Sequence, residues 1–206
     1  MFDEISWPHI LTTLLERKDL SVWESTWAMR EIMQGRASDA QLGGFLVALH
    51  AKGETVDEIV GFRDAILESA LPLPVPADVL DIVGTGGDRY GTVNVSTMAS
   101  IVCAASGVPV VKHGNRAATS SSGASDVVSA LGVNLNTTPD QVAEVLSRVG
   151  LSFVWAAAFH PGFRFAGATR SELGVPRVFN IIGPLCTPAR AAATAVGVAH
   201  LARVPL

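Results

Sequence analysis

Three prolines at alternate positions, in Leu71-Pro72-Leu73-Pro74-Val75-Pro76, split this chain into two patterns that cannot share one secondary structure. Each proline fixes φ and removes a backbone donor, so neither helix nor central strand crosses this stretch. Before it, Ser21-x-x-Glu24, Ser38-x-x-Gln41 and Thr55-x-x-Glu58 read as capping boxes, each opening an apolar run at helical spacing. Ser6 with Pro8 opens a further helix through Leu15, and Gly35 and Gly53 fall where helix ends are expected.

After the prolines, short apolar strands alternate with helices. Strands are predicted at Val79–Val83, Val108–Val111, Leu151–Trp155 and Ala193–Val198, with helices at Ser96–Ser106, Gly123–Leu131, from Thr138 to Gly150 and around Pro161–Leu173. Alternation of this kind implies parallel pairing. The fold class expected is α/β: a small N-terminal helical domain plus an incomplete α/β domain with a largely parallel sheet. Its divisions are residues 1–70 (helical, dimerisation), 71–78 (Pro-rich hinge) and 79–206 (α/β, incomplete at its C-terminal end, since no closing helix follows the last strand).

Composition narrows the function. Of 206 residues 49% are apolar and 17% charged, and the formal charge of −4 argues against nucleic-acid binding through phosphate neutralisation. No apolar run reaches the length of a membrane span, and the N-terminus has no signal-peptide pattern. Cys103 and Cys186 fit neither a metal pattern nor a disulfide framework and are expected to be buried thiols of a cytoplasmic protein.

Two loops carry the chemistry. Gly84-Thr85-Gly86-Gly87-Asp88 leaves a strand directly, and Asn94, Ser96 and Thr97 stand at the start of the next helix. Glycines let a backbone approach an anion, and a helix N-terminus offers it free N–H groups. The bland alternatives are an ordinary tight turn and an N-capping Ser96. The second loop, Lys112 to Gly123, carries two cations, an amide and four consecutive hydroxyls away from a buried strand. A solvated surface loop is its competing reading. Asp126 is read as structural. A third patch, His160-Pro161-Gly162-Phe163-Arg164 with Arg170-Ser171-Glu172, offers arginines for an acidic substrate, and Asn180 to Pro188 forms a rigid turn around Gly183-Pro184.

GTGGD, NVSTMA, KHGNRAATSSSG, HPGFR with R-x-EL, and FNIIGPL, in this order, closely resemble the anthranilate phosphoribosyltransferase family, of the nucleoside-phosphorylase-like class. The resemblance covers essentially the whole chain. It implies transfer of a phosphoribosyl group from phosphoribosyl diphosphate to the amine of anthranilate, with Mg²⁺, in tryptophan biosynthesis, by a homodimer paired through its N-terminal helices. It further implies that Gly84, Gly87, Asp88, Thr92, Asn94, Val95, Ser96, Thr97, Lys112, Asn115, Arg116, Ala117, Ala118, Thr119 and Ser120 hold the donor. Ser96 would also touch one Mg²⁺. Gly84, His113, Asn115, Arg170 and Gly183 would line the anthranilate route, Arg170 meeting the carboxylate. No general base is implied, since the amine is already nucleophilic.

Arg89, Ala157 and Thr187 depart from the family pattern, and the acidic pair expected to hold a second Mg²⁺ is absent from these 206 residues. The chain is therefore expected to be an impaired fragment. Two other readings stand beside this one: a related nucleoside phosphorylase, and a non-catalytic protein that binds a phosphorylated ligand or a partner.

Overall fold

The computed structural model describes residues 5–85, 93–116, 122–174 and 178–206, with Asn180 described by its backbone. Two compact units emerge, each treated separately below. One comprises residues 1–70, 160–185 and 205–206; the other comprises 71–159 and 186–204.

The first unit is helical: α1 (Trp7–Leu15), α2 (Val22–Met33), α3 (Asp39–Lys52) and α4 (Val56–Glu68). Ser21, Ser38 and Thr55 each accept from the backbone N–H three residues on. Glu24, Gln41 and Glu58 return the bond to the cap's own N–H, as the spacing predicts. Trp27, Trp7, Phe45 and Phe62 form a run of ring contacts with centroids 5.6, 5.9 and 5.8 Å apart, the last two edge-on. Glu58 is fully buried yet satisfied, accepting from Leu20 N–H at 3.0 Å, Thr55 N–H at 2.9 Å and Lys52 Nζ at 3.0 Å.

The same unit gathers a later segment: a 3₁₀ stretch at Pro161–Ala166, α9 (Gly167–Leu173), α10 (Val178–Ile182) and a 3₁₀ turn at Gly183–Leu185. The sequence reading places these residues with the sheet. They join the helices through contacts remote in sequence: Thr169 Oγ1 donates to Asp39 at 2.8 Å, and Gly162 lies against the Met33 backbone.

The second unit contains β1 (Leu80–Gly84), α5 (Val95–Ala105), β2 (Val110–Gly114), α6 (Ala124–Ala130), α7 (Pro139–Val149), β3 (Leu151–Trp155), α8 (Ala156–Phe159) and β4 (Ala193–Gly197). The four strands are parallel, in the order β3-β2-β1-β4. β1 registers with β4 from Leu80↔Ala193 to Gly84↔Gly197, and β2 with β3 from Val110↔Leu151 to Gly114↔Trp155. Thr138 and Gln141 cap α7 reciprocally, and Gly150 ends it at φ 75°, a left-handed conformation open to glycine. Val79, Val111, Val142, Leu146, Val154, Phe159 and Ala189 form the core. Leu73 and Val75 from the proline stretch pack against it.

Of the two cysteines, Cys186 is buried as expected, whereas Cys103 is only half-buried. Cys103 sits on α5, which also exposes Met98, Ile101 and Val102. Among the described residues no helix is long and apolar enough to cross a membrane.

Candidate phosphate and acceptor sites

The strand order places a topological switch beside β1, since the chain moves outward through β2 and β3 and then returns to β4 on the other side. In open parallel sheets such a switch marks the ligand crevice at the carboxyl ends of the strands. Gly84, Gly114 and Trp155 are those ends. Both loops singled out in the sequence begin here.

The first loop starts tied down. Thr85 N–H donates to the Gly197 carbonyl at 2.9 Å, and Thr85 Oγ1 accepts from Ala199 N–H at 3.1 Å. Gly84 itself is extended and lies in register with Gly197, so its role is close strand packing and not a left-handed turn. Gly87, Asp88 and Thr92 lie outside the described residues.

The loop's far end is the N-terminus of α5. The cap residue is Asn94, not Ser96, and its side chain makes no capping bond. Instead Asn94 Nδ2 donates to the Ser122 carbonyl at 3.3 Å, joining the first loop to the second. Val95 N–H donates to the Val93 carbonyl at 2.7 Å and Thr97 N–H to the Asn94 carbonyl at 3.0 Å, and no side chain caps α5, so it is the positive end of the helix dipole that favours an anion there. Val95 is exposed, Ser96 is half-buried, and Thr97 Oγ1 is buried with no hydrogen-bond partner among the described residues.

The second loop begins with Lys112 and His113, 2% and 4% exposed, so this end of it is not a solvated surface loop. Lys112 Nζ donates to the His113 carbonyl at 2.9 Å, and His113 N–H donates to Asp81 Oδ1 at 3.0 Å. Burial pushes the Asp81 carboxyl up to about 6, against the opposing pull of the His113 N–H, the Lys112 charge and the Thr187 hydroxyl. Burial likewise pushes Lys112 below the usual lysine range, and Asp81 counters it.

Asn115 and Arg116 emerge exposed. Asn115 Oδ1 accepts from Arg116 N–H at 2.9 Å and from Trp155 Nε1 at 3.2 Å, and the Arg116 guanidinium stands 5.5 Å over the Trp155 ring. The loop rejoins α6 where Gly123 N–H donates to Asp126, confirming a structural role for that carboxylate. Ala117, Ala118, Thr119 and Ser120 lie outside the described residues.

Sequence reasoning gave no role to Asp81 or Trp155. Neither belongs to a loop motif, and only pairing of β1 with β2 and of β2 with β3 brings them to the loop. The register Gly114↔Trp155 is the feature that places the indole there.

Arg170 and Gly183 belong to the helical unit. Arg170 lies over the Phe179 ring at 4.6 Å. Phe179 in turn meets Phe163 edge-on at 5.8 Å, and Phe163 lies 5.1 Å from the buried His160. Gly183 opens the 3₁₀ turn before Cys186.

Among the described residues no three His, Cys, Asp or Glu side chains cluster as metal ligands. Ser96, half-buried in the first turn of α5, offers a single hydroxyl. That fits Mg²⁺, which keeps several waters and takes phosphate oxygens along with few protein ligands.

A parallel sheet with loops leaving its strand ends at a switch point, and a separate helical bundle, are the two parts of this chain, and the chain belongs to the glycosyl transferase family. Residues 76–206 match that family's a/b domain and residues 8–70 its helical bundle domain. Within it, the chain is similar to the anthranilate phosphoribosyltransferase of Leifsonia xyli subsp. xyli, 64% identical over all of this chain and 59% of the relative. That of Clavibacter michiganensis subsp. michiganensis is 65% identical over 98% of this chain and 58% of the relative. The chain thus spans somewhat under two thirds of the curated relatives it matches.

Among solved structures, the anthranilate phosphoribosyltransferase of Thermus thermophilus superposes with a TM-score of 0.86 at 44% identity, covering 92% of this chain and 58% of that one. The Saccharomyces cerevisiae enzyme, in complex with PRPP and Mg, gives 0.85 at 31% identity, covering 95% and 59%.

Proposed function

We propose that this chain carries the phosphoribosyl-diphosphate and anthranilate groups of an anthranilate phosphoribosyltransferase. The Asn94–Ser122 bond carries this reading: it joins an uncapped helix N-terminus to the Lys112 loop at the carboxyl ends of the strands. One joined site of this kind suits a ligand with phosphates at both ends.

In that reaction the anthranilate amine attacks C1 of the ribose as the bond to diphosphate breaks, and the amine proton leaves to solvent. The positive N-terminal end of α5 and the Ser96 and Thr97 hydroxyls hold the leaving diphosphate, and Lys112 adds positive charge beside it. Positioning and leaving-group electrostatics supply the rate, so no general base is assigned. Mg²⁺, when bound to the diphosphate with Ser96 as one ligand, would neutralise charge on the leaving group. Asn115 and His113 border the acceptor route on the sheet unit. Arg170, on the helical unit, carries a planar fork of the kind that suits a carboxylate.

Exposed Trp23 (65%) and Leu15 (74%) on the helical unit support pairing of two copies through the N-terminal helices, as a homodimer. A cytoplasmic setting suits a biosynthetic activity of this kind.

Loss of anthranilate fluorescence on mixing the chain with phosphoribosyl diphosphate and Mg²⁺ tests the transfer, and calorimetry with the donor alone tests the site. Turnover supports the transferase. Donor binding without turnover marks an impaired fragment that keeps its phosphate loops, or a phosphorylated-ligand binder, and binding of neither substrate overturns both.

A further inference from the structure

We propose that Asp81 is a positioning residue of the donor site, fixing the His113 peptide and keeping the buried Lys112 ammonium charged beside the loop that follows β2. The inference rests on the donor-site reading above. β1 and β2 register at Leu80↔Val110, and farther along the strands side chains take over. Both main-chain groups of His113 are held this way, its N–H by Asp81 Oδ1 at 3.0 Å and its carbonyl by Lys112 Nζ at 2.9 Å.

Asp81 is fully buried and Lys112 is 2% exposed. A well-packed apolar pair in their place would hold the sheet as well or better, because both charges forfeit hydration. Stability alone therefore does not account for them. A buried lysine without a counter-charge tends to lose its proton. Asp81 is the charged group that opposes this for Lys112 among the described residues. The Thr187 hydroxyl also faces Asp81, uncharged Phe153 stands in register with Lys112 on β3, and α5, which packs against both strands, carries the buried hydroxyls of Thr97 and Ser100.

Asp81→Asn keeps an acceptor for the His113 N–H and removes the charge. Calorimetry with phosphoribosyl diphosphate, from pH 6.5 to 9, would compare wild type, D81N, K112M and the double variant. We expect D81N to bind about tenfold more weakly at pH 8, a loss of about 1.4 kcal/mol. Its affinity falls further as pH rises, across a range where wild type is flat. Its thermal midpoint at neutral pH stays equal or rises, which a merely structural residue would not allow. In the K112M background D81N changes nothing further.

Wild-type affinity and pH profile in D81N, or an undiminished D81N effect in K112M, would overturn the proposal. No binding by wild type overturns the donor-site reading, and this inference with it. Should D81N fail to fold, lysine-selective ¹³C spectra of wild type decide. The Lys112 signal must step as Asp81 protonates near pH 6, and a Lys112 signal without that step refutes the coupling.

Discussion

The Arg170 guanidinium lies 4.6 Å over the ring of Phe179, the last member of a stack that begins at buried His160. The ring contact sets the plane of the guanidinium, which we propose meets the anthranilate carboxylate. Phe179→Leu keeps an apolar side chain and removes the π-face. It should weaken anthranilate binding by about 0.5–2 kcal/mol while leaving donor affinity unchanged. Calorimetry with each substrate separately reads this, and an equal loss for both would sink it.

Asn94→Ala cuts the tie between the two loops. A single net hydrogen bond is worth about 0.5–1.5 kcal/mol, so donor affinity should fall about three- to tenfold. Asn94→Asp should be worse, since it sets a carboxylate where the diphosphate belongs. The pair distinguishes loss of a tie from electrostatic competition: raising salt should recover part of the N94D loss and none of the N94A loss.

Asp81 also makes a stability prediction. Its carboxyl titrates near 6 in the fold and near 3.9 in an unfolded chain, so between those values the folded state binds more protons. Its contribution is fully present below about pH 4 and is lost as pH rises through about 6. Urea midpoints should therefore fall across that window more steeply for wild type than for D81N. Parallel pH curves would refute it.

Two glycines in helices should respond in opposite directions. A Cβ on Gly61 of α4 would lie 2.5 Å from the Val22 carbonyl oxygen and 2.7 Å from Ser25 Cβ, so G61A should cost about 1–3 kcal/mol. On Gly44 of α3 a Cβ would sit 3.6 Å from Leu11 Cδ2, an ordinary contact. There G44A should gain up to about 1 kcal/mol through helix propensity. Thermal unfolding of the two variants checks both signs.

The sequence by itself determined what is decided within a few residues. The reciprocal caps at Ser21, Ser38, Thr55 and Thr138 were legible because each spans three residues and uses fixed stereochemistry. So were the strand at Leu151–Trp155 and the departure of both loops from strand ends. Asn94 shows the limit: its place at the start of α5 was readable, but its side chain reaches Ser122, 28 positions away, and not its own helix. The Asp81–His113 bond spans 32 positions and the Trp155–Asn115 bond 40. The return of residues 160–185 to the helices rests on Thr169 meeting Asp39 across 130. Only the tertiary structure decided these. A buried polar group takes whichever partner packing brings within reach, and strand order and register, not chain proximity, determine which partner that is.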